Sequence, residues 1–121
     1  MAIQESGEMY LETIYILGTK LSHVRAVDIS EQMNFSKPSV SRALGLLKDG
    51  GYLKIEETGF VSLTEIGEEL AKKIYERHTL LSSFLVALGV PEKIADEDAC
   101  KIEHHISDLT FEAIKKHVAK K

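Results

Sequence analysis

A chain of 121 residues, 44% hydrophobic and 28% charged, has room for one domain or two small ones with a buried core. No apolar run approaches the roughly 20 residues that span a bilayer, and Met1-Ala2-Ile3-Gln4-Glu5 has neither the basic patch nor the apolar stretch of a secretion signal. One cysteine excludes an internal disulfide and points to a reducing cytoplasm, and a net charge of −4 argues against a general nucleic-acid coat protein.

Apolar side chains recur at helical spacing over residues 4–18 (Met9, Leu11, Ile14, Tyr15, Leu17), which predicts a first helix ending near Gly18. A second helix is expected from Val27 to Met33, broken by Asn34-Phe35-Ser36. Ser36 then reads as an N-cap, with Pro38 early in a third helix where its missing N–H costs little. That helix carries Val40, Ala43, Leu44 and Leu47 and stops at Gly50-Gly51. Tyr52–Ile55 and Phe60–Leu63, around a turn containing Gly59, predict a hairpin. Thr64 caps a long helix with Ile66, Leu70, Ile74, His78 and Leu81 on one side, ended by Gly89 and Pro91. A helix over about 92–106 follows, and Ser107 caps a last one through Leu109, Ala113, Ile114 and Val118.

Helix, short break, helix and hairpin is the order of a winged helix-turn-helix. The chain is therefore expected to be mainly α, with a winged helix-turn-helix and its small β-hairpin wing over 1–63. An all-α second domain is expected over 64–121. Residues 1–55 balance six basic against six acidic side chains, while 56–121 hold nine basic against thirteen acidic. Within 20–48 the basic residues Lys20, Arg25, Lys37, Arg42 and Lys48 outnumber Asp28 and Glu31, which suits a phosphate backbone. The third helix is the expected reader of DNA. Ser36 and the residues after it offer N–H groups and hydroxyls at its start. Lys37, Pro38, Ser39, Ser41 and Arg42 lie away from its apolar face of Val40, Leu44 and Leu47. The acidic hairpin tip, Glu56–Gly59, is a poor grip for phosphate.

Cys100, Glu103 and His104 fall at i, i+3 and i+4, on one helical face. Thiolate, carboxylate and imidazole together suit iron(II), cobalt, nickel or zinc rather than magnesium or calcium. Another element must complete such a set; Met9 and Glu12 on the first helix, and His78 on the long one, are the available donors. A nucleophilic Cys100 with His104 as its base is disfavoured, because Glu103 on the same face raises a thiol's pKa and no orienting third group is apparent. The expectation is a DNA-binding protein and not an enzyme, with no membrane and no small organic substrate.

Residues 8–15 (EMYLETIY), 36–41 (SKPSVS), 63–67 (LTEIG), Arg77-His78 and 98–105 (DACKIEHH) resemble the diphtheria-toxin-repressor family of iron- and manganese-dependent regulators, over almost the whole chain. The resemblance implies a homodimer that represses by binding a palindromic double-stranded DNA operator when loaded with metal. In the iron branch the activating site resembles Met9, Cys100, Glu103 and His104, and an ancillary site would use His78. Ser82 stands where that branch has an acidic ligand, and Asp96 where it has a histidine. Glu12 resembles the manganese branch, whose paired-metal site also draws on the His78 position but has carboxylates in place of Met9 and Cys100. The set is thus a hybrid. Soft Met9 and Cys100 favour Fe(II), with Mn(II) as the alternative; a winged-helix regulator indifferent to metal is the further rival. The iron branch usually adds an SH3-like domain that this sequence lacks, which reads either as a naturally short member or as part of a longer chain.

Overall fold

The computed structural model describes residues 5–119. The expected helix start at Gln4, the signal-free reading of Met1–Gln4, and Lys120 and Lys121 at the end of the second expected domain lie outside them. The chain divides into two compact units, up to Lys72 and from Lys73 onward.

In the first unit, α1 (Glu5–Lys20) buries Tyr10, Leu11, Ile14 and Leu17, one stripe at helical spacing. It runs past Gly18 to Lys20, because a single glycine costs a helix only about 1 kcal/mol and the Leu17 carbonyl still accepts from Leu21 N–H at 2.8 Å. β1 (Val24–Arg25) was not expected: two residues are too few to show alternation, and pairing with a distant strand makes them one. α2 (Ala26–Met33) buries Ile29 and ends at Asn34, whose φ of 58° is the left-handed conformation that asparagine tolerates.

α3 (Lys37–Asp49) begins as expected at Ser36, whose Oγ accepts from Ser39 N–H at 3.3 Å. β2 (Leu53–Ile55) and β3 (Phe60–Leu63) form the hairpin, and β1 pairs with β3 on its other side, giving the antiparallel order β1-β3-β2. Gly59 takes a φ of +89° in the turn, where its N–H reaches Glu56 O at 2.8 Å. Leu11, Ile29 and Val40 are completely buried in the core that joins α1, α2, α3 and the sheet. Each such side chain contributes roughly 1.5–3 kcal/mol.

α4 (Glu65–Ala87) starts in this unit. Thr64 caps it as expected: its Oγ1 accepts from Gly67 N–H at 3.2 Å and donates to Gly51 O at 2.7 Å. A Cβ on Gly67 would sit 1.9 Å from Tyr52 O, so the close approach of α4 to the hairpin requires glycine.

The second unit holds the rest of α4, α5 (Glu92–Glu103) and α6 (Asp108–Ala119). Ile74 and Leu81 are buried as expected, but Ile66 near the start of α4 is 64% exposed. On α6 the expected apolar seam also shifts: Leu109 is 83% exposed and Phe111 is the buried residue. Helical spacing gives a face, and only the neighbour decides which side it packs. α5 stops at Glu103 rather than running to 106, and Ser107 caps α6 through its Oγ and Thr110 N–H at 3.1 Å.

Candidate metal centre and nucleic-acid face

α5 turns Ala95, Ala99 and Glu103, four residues apart, to the inside. Two small alanines let the helix pack closely, and the third place on that face is a carboxylate with an entirely buried side chain. A buried carboxylate is costly unless it is paired and hydrogen-bonded. Its Oε2 lies at hydrogen-bond distance, 2.8 Å, from His78 Nδ1, and its Oε1 lies 3.2 Å from His104 Nε2 without forming a hydrogen bond to it. His78 comes from α4, and its Nε2 lies 2.6 Å from Asp96 Oδ1 one turn into α5.

His104 is the C-cap of α5 rather than a residue of its interior, yet its dihedrals (φ −91°, ψ −10°) continue the helical turn and keep it beside Glu103. Donor atoms of Cys100, Glu103 and His104 all lie within 4.8 Å of one another. An ion holding sulfur, nitrogen and oxygen at about 2.0–2.3 Å keeps any two donors within about 4.6 Å, so small rotations of these side chains close the set. Thiolate and carboxylate together carry two negative charges and the imidazoles none, which matches a divalent cation. The S/N/O mixture selects a transition metal over magnesium or calcium. The residues fit such an ion.

Arg77, beside His78, holds this end of α5 in place and was not given a role from sequence. It is 8% exposed. Its Nη1 donates to Glu103 O at 3.2 Å, a carbonyl at the end of α5 with no partner further along the helix, and to Ile106 O at 2.9 Å in the link that follows. Its Nη2 pairs with Asp108, and the guanidinium lies 5.4 Å from the Phe111 ring centroid. A lone arginine before a histidine carries no pattern from which these contacts could be read. Asp96, by contrast, stands out in the sequence only as a departure from the iron branch.

Met9 and Glu12 sit half-buried on α1 in the first unit. The structure brings Cys100, Glu103, His104 and His78 together within the second unit.

On the nucleic-acid side, α3 buries Val40, Leu44 and Leu47 and exposes Lys37, Pro38, Ser39, Ser41 and Arg42. Ser36 is exposed as well, but its hydroxyl is engaged in capping, 2.9 Å from Ser39 Oγ. Arg25 lies on β1, away from α3, with its guanidinium 4.7 Å from the Phe60 ring centroid and His23 stacked on that ring at 4.1 Å. No helix among the described residues is long and apolar enough to cross a membrane.

Comparison with known proteins matches both halves. Residues 2–61 match the iron dependent repressor N-terminal DNA binding domain, and residues 64–120 the iron dependent repressor metal binding and dimerisation domain. Transcriptional regulator MntR of Escherichia coli O6:H1 is 36% identical over 115 residues, 92% of this chain and 74% of MntR. An HTH-type transcriptional regulator of Methanocaldococcus jannaschii is also 36% identical, over 93% of this chain and 92% of its own length. The solved structure of the manganese regulator SloR aligns with all of this chain at a TM-score of 0.84 and 28% identity; the chain spans 56% of that protein. The chain belongs to the diphtheria-toxin-repressor family of metal-dependent, DNA-binding transcriptional repressors.

Proposed function

We propose that this protein is a cytoplasmic Fe(II)-activated repressor that binds a palindromic double-stranded operator as a homodimer, without catalysing a reaction. The observation that carries the metal reading is the convergence of Cys100, buried Glu103 and His104, with His78 against Glu103. Met9 and Glu12 are the proposed further ligands, on the resemblance of their positions to the family's sites. Thr64 is the proposed boundary between a DNA-binding domain over 1–63 and a metal-binding and dimerisation domain over 64–121.

A bound ion supplies two positive charges and fixed coordination directions. Cys100 and Glu103 supply the compensating negative charge, and His104 and His78 the neutral nitrogens. Were Met9 and Glu12 to join the set from α1, ligation would couple the DNA-binding half to the metal and so bias the spacing of the two α3 helices in the dimer. Lys37, Ser39, Ser41 and Arg42 then face the major groove, Ser36 and Pro38 shape the start of that helix, and Arg25 supports a phosphate contact. Couplings of this kind are about 1–3 kcal/mol, roughly 5- to 150-fold in affinity.

Mn(II) is the second reading, favoured by Glu12 and by the likeness to SloR, a manganese regulator. Soft Met9 and Cys100 weigh toward iron. The test is an anaerobic selection from a random duplex library with Fe(II), with Mn(II) and with a chelator. A palindrome enriched with Fe(II) alone supports the proposal, enrichment with Mn(II) alone replaces the metal, and equal enrichment in all three arms removes the switch. His104→Ala should abolish the metal-stimulated part of binding while the chain stays folded.

A further inference from the structure

The His78 ring is held between two carboxylates, one at each nitrogen. Nδ1 lies 2.8 Å from Glu103 Oε2 and Nε2 lies 2.6 Å from Asp96 Oδ1. The two carboxylates are not equivalent. The Glu103 side chain is fully buried and shares its place with Cys100 and His104, whereas the Asp96 side chain is 63% exposed and belongs to no such donor group among the described residues. Both come from α5, seven residues apart, so they lie two turns apart on one face and flank the ring from α4.

An imidazole that ligates a metal offers the lone pair of one nitrogen and keeps N–H on the other. What that N–H meets decides which nitrogen ligates. A half-turn about the Cβ–Cγ bond would put a ring carbon where Nδ1 now stands. We propose that Asp96 is a positioning residue: it accepts a hydrogen bond from His78 Nε2–H, blocks that half-turn, and presents Nδ1 as the ligating nitrogen beside Glu103. Asp96 itself stays outside the coordination set. The inference rests on His78 being a ligand, as proposed above.

The full chain, labelled with nitrogen-15 and loaded with cadmium-113, tests it. Long-range proton–nitrogen spectra should show cadmium coupling at His78 Nδ1 and a proton on Nε2. Asp96→Ala should weaken cadmium binding roughly 10- to 100-fold, the usual effect of losing such an outer partner. The thermal midpoint of the metal-free protein should be little changed, since Asp96 is mostly exposed. Asp96→Asn, which keeps an accepting oxygen, should restore most of the affinity. Cadmium coupling at Nε2, or undiminished affinity in Asp96→Ala, overturns the proposal while leaving the metal centre intact. Cadmium held without coupling to either His78 nitrogen removes His78 from the ligand set and this inference with it. A chain that binds no cadmium at all defeats the metal reading itself.

Discussion

The two units are stabilised by different kinds of interior. The first buries Leu11, Ile29, Val40 and their apolar neighbours. The second buries Arg77 and Glu103 among small residues such as Ala95 and Ala99. An apolar core needs only shape and area, so it tolerates approximation. A buried arginine and a buried carboxylate need partners at set distances, because the low-dielectric interior that strengthens a made contact also raises the cost of a missing one. The unit with the proposed DNA-facing residues thus rests mainly on apolar packing, whereas the unit with the proposed metal donors also depends on polar geometry.

The largest expected break in that contrast is Leu11→Ala. Removing a fully buried leucine from the first unit should cost about 2–5 kcal/mol in a denaturant titration. A cost well below 1 kcal/mol would mean that this core is not the support it looks like. Next is Arg77→Met in the second unit. It strips charged hydrogen bonds from Glu103 O and Ile106 O at about 1.5–3 kcal/mol, and metal affinity should fall with it because the carrier of Glu103 and His104 loosens. If affinity is untouched, Arg77 matters to stability alone.

Smaller is Ser36→Ala, which removes the α3 cap and should cost about 1 kcal/mol, with DNA binding weakened in both metal-loaded and metal-free protein. Dependence of that loss on metal would show that the cap takes part in the switch.

The smallest effect concerns pH. Lys73, hydrogen-bonded to Asp108 at 3.0 Å, and Arg77 beyond it hold the Asp108 carboxyl below its ordinary value. A depressed folded-state value means that the stabilisation is complete above the unfolded value of about 3.9 and is lost as pH falls through the lower folded value. Thermal midpoints measured from pH 5 down to pH 2 should therefore fall less steeply in Asp108→Asn than in the parent. Equal slopes would assign the acid sensitivity to other groups.

Much of this was legible because it is local. Ser36 before Pro38, Thr64 before Gly67 and Ser107 before Thr110 announce helix starts through side chains that reach their own backbone within three residues. The spacing of Cys100, Glu103 and His104 likewise brings three donors together inside one turn. Where reading failed, the cause lay at a distance. Val24 and Arg25 became a strand because Val61 and Phe60 lie beside them. α5 ended at Glu103, and Arg77 takes carbonyls at that end from a helix 26 residues earlier. Leu109 faces outward although its spacing allowed burial.

The sequence by itself therefore determined the order of elements, their caps and the chemical types of the donors, since these depend on neighbours within one or two turns. Only the tertiary structure decided that Glu103 is buried, that Arg77 clamps the end of α5, and that His78 lies between Glu103 and Asp96. Those facts are distances between helices, and they depend on how the helices pack rather than on neighbours within any one of them.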